Sequence, residues 1–148
     1  MSLRSFTLHD LINRNARLYG SNTALVFGNQ RITHAQYAGR TARLAAGLAD
    51  AGVGQGDRLA ILAPNCLEYV DLFGAAAQLG AIVVPINWHF APDEVVYVVA
   101  NSGAVLTIVE PELAASDSPP LTCQRCTWLR RKALFIAADA LGCNVLAY

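Results

Sequence analysis

The chain has 148 residues, room for one domain or part of a larger one. It is 54% hydrophobic and only 15% charged, so much of its surface belongs in a core or against a partner. Lys plus Arg and Asp plus Glu both number 11, and the zero net charge argues against electrostatic steering toward nucleic acid or an anionic membrane.

The first residues, MSLRSFTLHDLINRN, lack the continuous apolar core of a secretory signal. Arg4, Arg14 and Arg17 would suit a mitochondrial presequence, but Asp10 and the early onset of domain-like patterning oppose it. Thr7 then stands before Leu8, Leu11, Ile12 and Leu18, which share one helical face, with Asp10 three residues on as in a capping box. This helix is expected to end near Tyr19-Gly20. Thr23–Phe27 reads as a strand, Gly28-Asn29-Gln30 as a turn and Arg31-Ile32-Thr33 as the return strand of a hairpin. Thr33 and Gln36 form a second capping box, opening an alanine- and leucine-rich helix that stops at Ala51-Gly52.

Gly52, Gly54 and Gly56 invite comparison with a phosphate loop. A phosphate-binding glycine run leaves a strand and opens a helix, whose first amides face the anion. Here the glycines leave a helix and enter a strand, so tight turns are the expected reason for them.

Between Gly56 and Glu110 three apolar runs, Arg58–Ala63, Ala81–Val84 and Val105–Val109, alternate with segments of helical spacing. That alternation predicts βαβαβ units and a parallel sheet. Asn65 is expected to cap the helix Cys66–Leu79, with Glu68 and Asp71 favouring its dipole. The apolar positions of this helix nearly encircle it, so both sides should be covered. Its polar residues Glu68, Asp71 and Gln78 also exclude the apolar stretch Cys66–Ile86 as a membrane span. Ala81–Val84 has the fully apolar character of an interior strand. Pro85–Ala91 is a loop, and Pro92 begins a helix at its first position, followed by Asp93 and Glu94. That helix ends at Asn101-Ser102-Gly103.

The character changes after Pro111. Residues 1–113 form the patterned part, Ala114–Pro120 reads as a linker, and residues 121–148 have a new composition with three of the four cysteines. Ala133–Leu141 could form a short helix there. Cys123-x-x-Cys126 is half a zinc site or a redox pair. Cys143 would be a third zinc ligand, and the fourth would have to be His89 or Cys66, so ligand count disfavours metal. The cluster Arg130-Arg131-Lys132 reads as a solvated face rather than a nucleic-acid contact. The four cysteines show no disulfide framework, and a reduced cytoplasmic setting is expected.

From about Phe6 to Glu110 the chain resembles the N-terminal part of the adenylate-forming ligases, which include acyl-CoA synthetases, peptide-synthetase adenylation domains and luciferases. The resemblance is carried by Ile32-Thr33 through Gln36-Tyr37, by Gly52–Ala63 with Pro64-Asn65, and by Gln78-Leu79-Gly80-Ala81 through Pro85-Ile86-Asn87, all in order. The details are most similar to fatty- or aromatic-acid CoA ligases. The resemblance implies a two-step reaction. A carboxylic acid attacks ATP to give an acyl-adenylate, with magnesium accompanying the ATP, and coenzyme A then takes the acyl group. The family works with a Ser/Thr/Gly-rich loop ending in lysine, a later Tyr/Thr-Glu segment, a ribose-holding aspartate and a lysine in a C-terminal domain. No position of this chain matches any of them, and Lys132 is its single lysine. No catalytic, cofactor-binding or metal residue is therefore assigned, and the chain alone is expected to be inactive. His34 and the run Trp88-His89-Phe90-Ala91 depart from the family pattern in detail. The tail departs altogether. Truncation, a frameshifted end or a pseudogene-like reading frame would each account for it, and the abrupt change favours a shifted or unrelated tail.

The expected fold is α/β: a short parallel sheet with crossover helices, an N-terminal helix and hairpin, amounting to part of an adenylate-forming ligase N-terminal domain. Ligands of open parallel sheets sit beyond the carboxyl ends of the strands. That rule singles out Asn65, Asn87, Trp88, His89 and Glu110. Asn65 has the simpler role of a helix cap. Asn87 and Trp88 suit either a loop near the acyl or CoA path or a packed anchor. His89 lacks an orienting partner and reads as an ordinary loop histidine. Two other readings stay open: a non-catalytic module that self-associates or pairs through exposed apolar edges, and a zinc or redox protein built on the tail cysteines.

Overall fold

The computed structural model describes residues 6–110. They fall into two compact units, one made of residues up to Asp57 with Cys66–Ile82, the other of Arg58–Asn65 with the residues from Val83 onward. The linker, the tail cysteines Cys123, Cys126 and Cys143, the basic cluster and the Ala133–Leu141 helix expected above lie outside the described residues.

In the first unit, helix α1 (Leu8–Tyr19) starts on the expected capping box. The Thr7 hydroxyl accepts the Asp10 N–H at 3.2 Å, and the Asp10 carboxylate accepts the Thr7 N–H at 2.9 Å. Two of the helix's orphan donors are thereby satisfied. Strands β1 (Thr23–Phe27) and β2 (Gln30–Thr33) pair antiparallel around Gly28, whose φ of 55° lies in the left-handed region that favours glycine. Helix α2 (His34–Asp50) opens on the second capping box, with Thr33 Oγ1 accepting from Gln36 N at 3.2 Å and Gln36 Oε1 from Thr33 N at 2.9 Å.

Helix α3 (Leu67–Leu79) corrects two expectations. Its N-cap is Cys66, not Asn65, because Cys66 still has extended dihedrals (φ −146°, ψ 174°) and the helix starts one residue later. Asp71 does not serve the helix dipole at the surface. It is buried on the face turned to α2, where it pairs with Arg40.

The α2–α3 seam repeats at one-turn spacing. Tyr37 donates its hydroxyl to Val70 O at 3.0 Å, and Arg40 Nε donates to Asp71 Oδ2 at 2.8 Å. One turn further, a Cβ on Gly74 would collide with Thr41 Cγ2 and stand 3.0 Å from Tyr37 Oη. Gly74 is therefore small because another helix occupies its side-chain space.

The second unit holds the sheet, ordered β4-β3-β5, with β3 spanning Arg58–Leu62, β4 Ile82–Ile86 and β5 Leu106–Val109. β3 and β5 run parallel, from Leu59 opposite Leu106 to Leu62 opposite Val109. Leu59 through Leu62 are all buried, as the central strand of such a sheet requires. The interior position expected for Ala81–Val84 is thus held by β3. Among the described residues β4 is an edge strand. It starts at Ile82, which is 52% exposed, and it runs on through Pro85, a residue without an N–H that an edge tolerates. The loop expected from Pro85 accordingly begins only at Asn87.

Helix α4 (Pro92–Ser102) covers one face of this sheet. Val95 joins Ala60, Leu62, Ile86 and Val109 in a buried cluster, with Val84, Phe90, Val98, Val99 and Ala104 packed on it. The β-branched stretch of α4 is held by this burial rather than by propensity. Gly103, at φ 62°, ends the helix. Arg58 then crosses from the start of β3, donating from Nε to Ser102 O at 3.0 Å and from Nη2 to Gly103 O at 2.8 Å. A cation on the last carbonyls complements the helix dipole where α4 has no basic residue of its own. The α/β fold with its short parallel sheet, N-terminal helix and hairpin is the one expected.

Candidate functional site

The carboxyl ends of the three strands carry the five residues singled out above. Asn65 stands exposed after β3, Asn87, Trp88 and His89 follow β4, and Glu110 follows β5. The Glu110 N–H donates to Leu62 O at 3.1 Å, so the ends of β5 and β3 lie side by side.

The loop after β4 is the most defined part of this edge. Asn87 Oδ1 accepts the His89 N–H at 3.0 Å, and Asn87 O accepts the Phe90 N–H at 3.0 Å, an Asx turn that reverses the chain. Phe90 drops into the apolar cluster under α4. The Ala91 N–H donates to Glu94 Oε2 at 2.7 Å, closing the start of α4. Asn87 is therefore the turn-forming residue. Trp88 and His89 stand at the tip, both exposed, with ring centroids 3.5 Å apart and planes tilted by 34°. The ring partner of His89 is an indole face, which cannot orient a general base as a carboxylate would.

The glycine run has the role expected of it. Gly52 and Gly56 adopt φ of 87° and 83°, and the Gly54 N–H donates to Asp57 Oδ2 at 2.8 Å. These are turns entering β3. Cys66 is the one cysteine described, a free thiol. Burial pushes its pKa up, partly offset by the Tyr69 N–H, so it is less nucleophilic than an ordinary thiol. Among the described residues no group of three or more His, Cys, Asp or Glu could hold a metal ion, and no helix is long and apolar enough to cross a membrane. An open cavity of about 460 Å³ beside α1 is lined by Phe6, Asp10, Asn13, Arg14, Ala16 and Arg17, and includes none of the five edge residues.

Two charged side chains did their work unseen in the sequence. Asp71 pairs with Arg40 across 31 positions, and Arg58 caps a helix 44 positions away. Neither spacing is periodic. The one signal available was an acidic residue inside an otherwise apolar helix, which a buried partner explains.

Comparison with known proteins adds descent to this geometry. The family model described as "AMP-binding enzyme" matches residues 12–140. A feruloyl-CoA synthase of Amycolatopsis is 42% identical over 101 residues, covering 68% of this chain and 21% of the relative. A long-chain-fatty-acid–CoA ligase of Mycobacterium tuberculosis is 42% identical over 78 residues, 53% of this chain and 16% of that protein. The solved structure of a Mycobacterium tuberculosis fatty acyl CoA synthetase superposes with a TM-score of 0.72 at 31% identity, over 83% of this chain and 26% of that one. The chain thus spans about a fifth of the length of the curated relatives it matches. By the extent of that family match, the chain belongs to the AMP-binding enzyme family.

Proposed function

We propose that this chain supplies the N-terminal scaffold of an acid–thiol ligase. In the reaction a carboxylate oxygen, of an aromatic or a fatty acid, attacks the α-phosphorus of ATP and pyrophosphate leaves. The CoA thiol then displaces AMP from the acyl carbon. The observation that carries the reading is the family match across residues 12–140. The names of the relatives, a feruloyl-CoA synthase and a fatty-acid–CoA ligase, favour those two acid classes.

The part assigned to residues 6–110 is mechanical. A buried central strand and helix α4 packed on the sheet hold the loops at the carboxyl edge, where α/β proteins bind ligands. The donors that would neutralise phosphate charge are sought in vain along the sequence: there is no Ser/Thr/Gly-rich run ending in lysine, and Lys132 is the single lysine. None of the described residues is assigned to magnesium, since no acidic cluster among them fits it. We therefore read the chain by itself as inactive. The cysteines, without a disulfide framework, favour the cytoplasm. Among the described residues β4 and β5 are the edges of the sheet, and exposed apolar residues such as Ile82 on β4 and Val105 before β5 favour self-association when the chain is alone.

A chimera tests this. Residues 12–110 replace the aligned segment of the Amycolatopsis feruloyl-CoA synthase. Thioester formation within about tenfold of the parent supports the scaffold role, and a folded chimera with none refutes it.

A further inference from the structure

We propose that the outer edge of β5 takes β5 of a second copy of this chain, antiparallel, and that the assembly closes at two chains. The proposal rests on the reading above that the chain alone self-associates, and it names the surface; it is independent of the ligase chemistry. The two edges of the sheet are not equivalent. In a parallel ladder, alternate residues turn their N–H and C=O to one neighbour, and the residues between them turn theirs to the other side. On β4 the Ile82 N–H donates to Asp57 O at 2.7 Å, so Ile82, Val84 and Ile86 face β3 while Val83 and Pro85 face outward. Pro85 has no N–H to offer, and its exposed ring obstructs a further strand. β4 is thus guarded in the way natural sheet edges are.

On β5 the Glu110 N–H donates to Leu62 O at 3.1 Å, and Leu62 lies opposite Val109. The Val105 N–H, still in the turn before β5, reaches Arg58 O at 2.9 Å and ends the ladder. Within the strand the alternation turns Leu106 and Ile108 toward β3. It leaves the N–H and C=O of Thr107 and Val109 on the outer side, where no strand stands among the described residues. Leu106-Thr107-Ile108-Val109 has no charge, no proline and no glycine, so none of the usual edge guards is present. A strand of this kind is complementary to itself. Turned about a two-fold axis at Ile108, Thr107 of one copy stands opposite Val109 of the other, and each such pair exchanges both of its N–H···O bonds. The β-branched Thr107, Ile108 and Val109 suit that pairing. The result is one continuous sheet, β4-β3-β5 followed by β5-β3-β4 of the second copy, with Pro85 at both ends. Growth stops there, so the interface is isologous and closed. The paired strand has 4 residues. That falls short of the ~800 Å² per partner of a standard stable interface, so the dimer dissociates on dilution.

Sedimentation equilibrium of the full 148-residue chain over a range of concentrations reads the stoichiometry. The mass is expected to rise from the 15.8 kDa monomer to a plateau at two chains. Ile108→Lys sets like charges opposite each other at the two-fold axis and should weaken the dimer about tenfold. Ile82→Lys, on the guarded edge, should leave it unchanged, with circular dichroism checking that both variants keep the fold. A cross-link reads the same contact without a new charge. The Cα atoms of a non-hydrogen-bonded antiparallel pair lie about 4.5 Å apart, within disulfide reach. With Cys66, Cys123, Cys126 and Cys143 replaced by serine, Ile108→Cys is expected to give a disulfide-linked dimer on mild oxidation, and Val83→Cys none. A two-chain plateau without the Ile108→Cys cross-link would overturn the β5 assignment and leave self-association standing. A monomer at every concentration would overturn both, and a mass that grows without a plateau would overturn the closure.

Discussion

Removing the Asp71 carboxylate takes the Arg40–Asp71 ion pair out of the α2–α3 seam. The Asp71 side chain is 8% exposed and Arg40 32%, so the arginine end of the pair still meets water and its loss is discounted from the fully buried case. Asp71→Ala is expected to cost about 2 kcal/mol in urea unfolding. A change within about 0.5 kcal/mol, the usual range for a surface substitution, would mean that the pair is solvated. Tyr37, on the same seam, gives a pH signature. Burial first, and the Asp71 charge second, raise its pKa above the ordinary 10.0. The folded state therefore keeps the phenol protonated where the unfolded chain ionises it. Stability is fully present below pH 10.0 and falls as pH rises from there through the raised folded value. Tyr37→Phe should flatten this alkaline loss in urea midpoints. An unchanged slope would place the titration elsewhere, Tyr69 being the other described tyrosine that burial raises.

Among the elements, the helices were legible wherever their signals were local. Thr7 with Asp10, Thr33 with Gln36, Pro92 and Gly103 are short-range grammar, and the structure uses each of them. Thr33→Ala should cost about 1 kcal/mol, the usual loss for a capping hydroxyl, and thermal unfolding would show it. What depended on the third dimension was not legible. An apolar strand reads alike at the centre and the edge of a sheet, so β4 was placed inside when β3 is there. The one-residue shift from Asn65 to Cys66 followed backbone dihedrals that composition does not encode. The close approach of α2 at Gly74 is another such three-dimensional fact. The residue's space is filled by Thr41 and Tyr37, so Gly74→Ala is expected to destabilise by about 1–3 kcal/mol through overpacking. Adding Thr41→Ala should recover much of that loss, and no recovery in the double variant would contradict the close approach.

For the whole molecule, the edge of the sheet was legible as a place and not as a machine. The order of elements located Asn65, Asn87, Trp88, His89 and Glu110 at the carboxyl ends of the strands, the edge where open parallel sheets take their ligands. The Asx turn and the tilted Trp88–His89 ring contact were not legible, because ring packing between neighbours depends on backbone angles. The chain spans about a fifth of the length of the relatives it matches, and the scaffold role is proposed for that span alone. Among the described residues β4 and β5 are the sheet's edges, which predicts that the isolated chain associates, so its light-scattering mass should exceed the 15.8 kDa monomer. A monodisperse monomer would contradict that. The most direct measurement of the central claim is ATP–pyrophosphate exchange by the full 148-residue chain with magnesium and either ferulate or a long-chain fatty acid. Exchange at the level of a protein-free blank is the predicted result. Acid-dependent exchange above that blank would contradict the assignment of this chain as scaffold.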